Sequence, residues 1–240
     1  MKQNNQLDIL IPVFNENETI VKTLKNIFSY VKCNYKILIC YDYDEDPTLK
    51  IIKENFPNNT KILFIKNFSR GFNSALISGF KKSTGDAVLF FMADDHINHK
   101  LIDLCYEKFK QGYQLVCPSR FIKGGKMIGN PFFKELLTKL ASFFLHNFTS
   151  FPIKDPTNSF RLFCRELIDE VTIESNKGFT LSLELTAKAH RLGYKITEIP
   201  ATWLEREKGK SRFKLISFIF PYTKWLFYII KTSIFYENAK

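Results

Sequence analysis

The stretch "LFFMADDHINH" (89–99) decides how this chain is read. With Ala87 and Val88 it makes an apolar run of strand length that stops at two adjacent carboxylates, Asp94 and Asp95, followed by His96 and His99. A buried-strand pattern of this kind ends at the lip of a core, where a charged group costs free energy unless something compensates it. Asp94 therefore points to function rather than to stability.

The same rhythm extends outward in both directions. "LDILIPVF" (7–14), "KILICYD" (36–42), "KILFIKN" (61–67), "AVLFFM" (87–92) and "QLVCPS" (114–119) read as strands. Between them, Ile20, Leu24, Ile27, Phe28 and Val31 recur at helical spacing with Asn15 available as N-cap, 47–55 reads as a helix, and 71–82 presents Ala75, Leu76 and Gly79 on one face. Strands that are apolar nearly throughout belong to a sheet covered on both faces, so the pattern predicts an α/β fold with a mostly parallel, Rossmann-like sheet and helices on both sides. Open sheets of this kind bind ligands at the carboxyl ends of their strands. Asn15 and Glu16 fall there, as do Asp42, Asp44 and Asp46, and Asp94 with Asp95. Converging carboxylates repel one another unless a cation or a hydrogen-bonding ligand offsets them, and a divalent metal with a nucleotide does both.

The 240 residues suffice for one substantial core, and 45% hydrophobic content with 25 Phe excludes a disordered chain. The net charge of +11 suits an anionic partner, whether nucleic acid, a phosphorylated small molecule or an anionic membrane surface, and equally reflects a Lys-, Asn-, Ile- and Phe-rich composition. Five scattered cysteines without a C-x-x-C pair indicate neither a disulfide framework nor a zinc site, which fits a reducing cytosol. The N-terminal apolar run is interrupted by Asp8 and is too short for a signal peptide or a membrane span.

From about Ile9 to Lys214 the chain resembles the family 2 glycosyltransferases of GT-A fold, in particular their dolichyl-phosphate (polyprenyl-phosphate) mannosyltransferase-like branch. "IPVFNE" resembles the opening P-x-x-N-E and includes Pro12; "YDYDEDPT" is similar to D-D-x-S-x-D-x-T and keeps Asp42, Asp46 and Thr48. "RGFNSALISGF" keeps Gly71, Ala75 and Gly79 of G-x-G-x-A-x-x-x-G, with Asn73 in place of a glycine. "TGDAVLFFMADD" resembles G-D-x-x-x-x-x-D-x-D with Met92 at the first metal position, "SRFIKGG" is close to S-R-[FY]-x-x-G-G, and "DPTNSFRLF" resembles D-x-T-S-G-F-R-x-[FY] with Ser159 where the pattern has S-G. The segment 178–213 follows the branch's closing block, ending in "REKGKSR". Any one motif is weak; their order along the chain is specific.

The resemblance implies roles residue by residue. Pro12, Asn15, Glu16, Asp42, Asp46 and Gly71 would line the nucleotide, although Asn15 and Asp46 are equally suited to cap helices. Asp94, with Asp95 and His96 beside it, would hold Mg2+ or Mn2+ against the diphosphate. Arg120 and Arg161 would meet phosphate, with a buried Arg–Asp pair as the alternative for Arg161. Asp155 stands where relatives with hydroxyl acceptors carry a general base, whereas phosphate acceptors arrive ionised and need none, so that Asp155 would position Arg161 or bind acceptor rather than move a proton. Arg206, Lys210 and Arg212 would close over the diphosphate or meet a lipid phosphate.

Residues 1–214 are read as the GT-A domain and 215–240 as an amphipathic helix lying in a membrane interface, with Tyr222, Trp225 and Tyr228 as anchors; a core or oligomer-interface helix fits the same pattern. The expected activity is inverting transfer from a nucleoside-diphosphate sugar to a polyprenyl phosphate at the cytoplasmic membrane face, the protein being cytoplasmic and peripheral. A glycan or other hydroxyl acceptor and a non-catalytic sugar-nucleotide binder are the alternatives, the latter motivated by Met92 and Asn73. A nucleic-acid partner is disfavoured, because no motif for it accompanies the acidic strand ends. The oligomeric state stays open.

Overall fold

A computed structural model of the chain describes residues 5–129, 132–176, 180–204 and 215–237. It opens with β1 (Leu7–Val13), α1 (Ile20–Tyr30), β2 (Tyr35–Tyr41), α2 (Pro47–Asn55), β3 (Ile62–Lys66), α3 (Phe72–Lys82) and β4 (Ala87–Phe90). It continues through α4 (Lys100–Lys110), β5 (Leu115–Ser119), β6 (Lys126–Ile128), α5 (Phe132–Phe148), β7 (Arg161–Cys164) and α6 (Arg165–Glu170). The chain then passes through α7 (Leu181–Arg191), β8 (Ile196–Pro200) and β9 (Thr202–Leu204) to α8 (Leu215–Glu237).

Among the described residues, seven strands form one sheet in the order β3-β2-β1-β4-β7-β5-β8, and β6 pairs with β9 in a second, two-stranded ladder. All the pairings of the large sheet are parallel except those of β7, which runs antiparallel between β4 and β5. The expected mostly parallel α/β sheet is therefore present, with one reversed strand that the apolar pattern did not announce. The reversal has a consequence for function. Phe90 at the end of β4 pairs with Arg161 at the start of β7, so the segment entering β7 reaches the same edge as the ends of the parallel strands.

Alternation along β1 builds the two layers. Leu7, Ile9, Ile11 and Val13 enter a core shared with Leu24 of α1, Ile52 of α2 and Ile102 of α4. Leu10 points to the other face and joins Leu76 of α3, Leu167 of α6, Leu185 of α7 and Trp225 of α8. Asp8 is buried in the same strand because its carboxylate accepts the N–H groups of Thr84 (2.6 Å) and Gly85 (2.8 Å). Ala75, Leu76 and Gly79 are buried on the packing face of α3, as their spacing predicts.

One local expectation is corrected. Helix α1 begins at Ile20 after Thr19 rather than at Asn15, which sits exposed at φ +54° in a loop. Leu192 is exposed because α7 has ended and the chain turns away at Gly193.

The C-terminal helix packs onto the domain. Trp225, expected as a membrane anchor, is 2% exposed and donates from Nε1 to Ser175 Oγ at 3.0 Å. Lys224 pairs with Glu174 at 2.8 Å, and the hydroxyl of Tyr228 accepts from Arg191. Glu184, fully buried in α7, accepts the N–H groups of Glu174 and Ser175 at 2.7 Å and pairs with Lys188. The segment before α7 is thereby tied to both α7 and α8. Among the described residues, no helix is long and apolar enough to cross a membrane.

Truncating Trp225 to Ala should therefore cost about 3–5 kcal/mol, as for other fully buried large aromatics. Urea denaturation reads this as a lower midpoint at unchanged slope. A loss within about 0.5 kcal/mol, the range of surface substitutions, would mean that α8 does not pack as described.

Candidate active site

The ends of β1, β2, β3, β4, β5 and β8 share one edge of the sheet, since all six run in the same direction. Behind β1, the N–H of Asn15 donates to the Asp46 carboxylate (3.0 and 3.2 Å) and the N–H of Glu16 donates to Thr48 Oγ1 (2.8 Å). Asp46 also caps α2 by accepting the Thr48 N–H at 2.9 Å, and it is buried. Its carboxylate straps the loop after β1 to the start of α2, the capping role that its place in the sequence equally allowed.

That strap presents Asn15 and its neighbours. The left-handed Asn15 accepts the Tyr43 hydroxyl on its side-chain oxygen, and Phe14 meets the Tyr43 ring edge-to-face at 5.6 Å between centroids. Pro12, half-buried, lies one turn of pleat behind them, opposite Cys40 of β2. Asp42, half-buried at the end of β2, accepts from Asn67 Nδ2 (2.5 Å) and from the N–H of Gly71 (3.1 Å). Gly71 holds φ +110°, a conformation that residues with a Cβ rarely adopt, and this aims its N–H at the carboxylate. Each Asp42 oxygen carries one of these bonds and keeps acceptor capacity for a ligand.

Asp94 lies half-buried just past the end of β4. Its neighbours turn inward. The Asp95 carboxylate accepts the N–H groups of Ile97 (3.2 Å) and Asn98 (3.0 Å) and the Asn98 amide (2.7 Å); burial raises its pKa, against the pull of these bonds. His96 Nδ1 lies 3.0 Å from the Asp94 carbonyl oxygen. The expected three-ligand set of Asp94, Asp95 and His96 is corrected: among the described residues no three His, Cys, Asp or Glu side chains gather as a metal cage. A hard cation such as Mg2+ or Mn2+ is also held by one or two carboxylates together with substrate phosphates. Asp94 fits that arrangement, and an all-protein cage does not.

The basic side of the edge is organised by one ion pair. Arg120, just after β5, donates from Nε to Asp155 Oδ2 at 2.7 Å, from Nη2 to Oδ1 at 2.6 Å, and from its backbone N–H to Oδ2 at 2.9 Å. Nη2 also reaches Thr157 Oγ1 at 2.6 Å, and the Asp155 N–H donates to Glu198 of β8 at 3.1 Å. The Asp155 side chain is 0% exposed and that of Arg120 10%. Burial alone would raise the Asp155 carboxyl, but the charge and hydrogen bonds of Arg120 outweigh it and hold the group below the usual carboxylate range. Asp155 is thus a fixed anion that sets the orientation of Arg120.

Arg161 lies in the interior, as its buried alternative describes. It is fully buried, with Nη1 donating to Ser182 O (2.8 Å) and to Thr186 Oγ1, and Nη2 to the Asp155 carbonyl (2.8 Å), so it braces the Asp155 segment from behind and does not face phosphate. Gly125 closes the turn after Arg120: a Cβ there would lie 2.5 Å from Ser119 O. Arg206, Lys210 and Arg212 lie outside the described residues.

Sequence reading missed Asn67, Thr157 and Glu198, the groups that hold Asp42, Arg120 and Asp155 in place. Asn67 was legible in principle, because it directly follows the third strand on the same edge.

The pattern of the family described as "Glycosyl transferase family 2" matches residues 8–172. The chain is 27% identical over 231 residues to "Dolichol-phosphate mannosyltransferase" of Pyrococcus furiosus, covering 94% of this chain but 64% of that protein. It is 25% identical over 213 residues to "Polyprenol monophosphomannose synthase" of Mycolicibacterium smegmatis, covering 85% and 79%. In structure it is similar to glucosyl-3-phosphoglycerate synthase from Mycobacterium tuberculosis, solved with Mn2+, uridine diphosphate and glucosyl-3-phosphoglycerate, at a TM-score of 0.69 and 15% identity over 96% of this chain and 80% of that one. The sheet, the edge assembled on it and the match over residues 8–172 agree: the chain belongs to glycosyl transferase family 2.

Proposed function

We propose that the protein moves a sugar from a nucleoside-diphosphate donor to a polyprenyl phosphate, with inversion at the anomeric carbon. The observation that carries this reading is the fixed Arg120 guanidinium on the same sheet edge as Asp42 and Asp94, a cationic and an anionic group to either side of where a diphosphate would lie. Asp42, held by Asn67 and Gly71, accepts hydrogen bonds from the nucleoside, and Asn15 and Glu16 border it. Asp94 would hold Mg2+ or Mn2+, which when bound with the donor offsets the negative charge of the diphosphate. Arg120 stabilises the charge that grows on the leaving diphosphate as it takes the electron pair of the broken C–O bond, while an acceptor oxygen forms the new bond from the opposite face.

The choice between acceptors rests on Asp155. A hydroxyl must lose a proton on attack, and the carboxylate at this position is buried, fully hydrogen-bonded and held as an anion by Arg120. A phosphate acceptor is already ionised and needs no such base. The names of the Pyrococcus and Mycolicibacterium relatives support the same acceptor class.

Replacing Asp94 by Asn should lower metal-stimulated transfer on the order of 10²–10³-fold with the melting temperature preserved; normal rates would remove Asp94 from the site. Replacing Asp155 by Asn leaves the buried Arg120 without its counter-ion, and should cost about 3–5 kcal/mol of stability together with most of the transfer rate. The Asp155 pKa is depressed in the fold, so its stabilising contribution is complete at neutral pH and is lost only as pH falls below the ordinary carboxylate range. Between about pH 5 and 8 the rate should carry no Asp155 ionisation. An acidic limb in that range that disappears in Asp155→Asn would restore the residue as a base and favour a hydroxyl acceptor.

A further inference from the structure

We infer that the outer face of α5 is a membrane-docking surface that seats in the headgroup region of an anionic lipid bilayer. The inference rests on the polyprenyl-phosphate reading for its purpose, though not for its test. Leu140, Phe143, Phe144 and Phe148 are 56%, 61%, 51% and 68% exposed. Their spacing of three, four and eight residues from Leu140 places them on one side of the helix, and Phe144 stacks on Phe148 at 5.0 Å. Ser142 and Leu145 are buried on the opposite side, Leu145 in the core that also receives Trp225. Single exposed apolar side chains are ordinary, but a contiguous row of one Leu and three Phe marks a surface meant to be covered.

The charge around the row selects what covers it. From Phe121 to Lys154 the sequence carries five lysines against one acidic residue, Glu135, and Lys123, Lys126, Lys139 and Lys154 are exposed. An apolar row flanked by lysines matches an anionic bilayer, with the rings in the interface and the ammonium groups at the headgroups. A second copy docked through the same face would set these lysines against their own kind. Helix α5 also stands in the right place. In the chain it leads from β6 into the segment through Phe151 and Ile153, which share a core with Leu145 of α5, to Asp155 and its bonds to Arg120. Helix α8, which the sequence offered for this role, has Trp225 and Ile229 in the core and Lys224 paired with Glu174.

Co-sedimentation tests this with vesicles of phosphatidylcholine containing phosphatidylglycerol and no polyprenyl phosphate. The protein should bind them, bind less to pure phosphatidylcholine, and come off as salt is raised. Phe143→Glu with Phe144→Glu should lower the partition coefficient about tenfold or more, and the milder Phe144→Ser with Phe148→Ser should lower it in the same direction at an unchanged melting temperature. Leu63→Glu with Tyr30→Glu, which adds the same charge at exposed positions of β3 and α1, should leave binding intact. Failure of the unmodified protein to sediment would overturn the inference, and so would α5 variants that bind normally. A dimer that the α5 variants split into monomers would assign the face to a second copy instead. Vesicle binding retained without any transfer to polyprenyl phosphate would count against the proposed acceptor and leave the α5 surface standing.

Discussion

The buried pair of Arg120 and Asp155 is the constraint on which the rest of the site depends. A guanidinium placed at a sheet edge by a flexible side chain would spend most of its time in water, and its conformational freedom would have to be given up on meeting a phosphate. Here Asp155 takes Nε, Nη2 and the backbone N–H of the same residue, and Thr157 takes a further bond, so the fork is already ordered. Such a pair is not free of cost, since both groups leave water, and the three bonds from Arg120 to the Asp155 carboxylate offset that cost. Glu198 from β8 and Arg161 from β7 supply the outer partners of the Asp155 backbone, which makes the reversed strand part of the site's construction.

The parallel strands, the helices between them and the edge they share were legible because each rests on local pattern. A strand buried on both faces must be apolar, and its end must be polar. What each charged residue at that edge does was less legible. Asp46, Asp95, Asp155 and Arg161 look in sequence like Asp42, Asp94 and Arg120, as charges placed near strand ends. Asp46, Asp95 and Arg161 bond chiefly backbone amides and carbonyls and Asp155 bonds Arg120, and such differences are set by tertiary partners distant in the chain, such as Asn15 for Asp46 and Ser182 for Arg161. Strand β7 escaped notice for a related reason. It has four residues and opens on an arginine, so the apolar run is too short to signal a strand.

The two apolar helices show how far composition can be pushed. By density of Phe, Ile, Trp and Tyr, α8 is the stronger membrane candidate, and α5 attracts no attention. Burial reverses the order, because a helix that completes the core on one side of the sheet needs the same residues as one that meets lipid. Periodicity tells that a face is apolar; only the fold tells what lies against it.

The account stands or falls on a diphosphate lying between the acidic and basic groups of one sheet edge. A crystal structure with a nucleoside diphosphate and Mn2+ is the most direct measurement. It should show the diphosphate between Asp94 and Arg120, with the nucleoside beside Asp42 and the Arg120–Asp155 fork unchanged. A nucleotide bound elsewhere on the molecule, or a diphosphate at this edge that leaves both Asp94 and Arg120 without contact, would contradict the assignment.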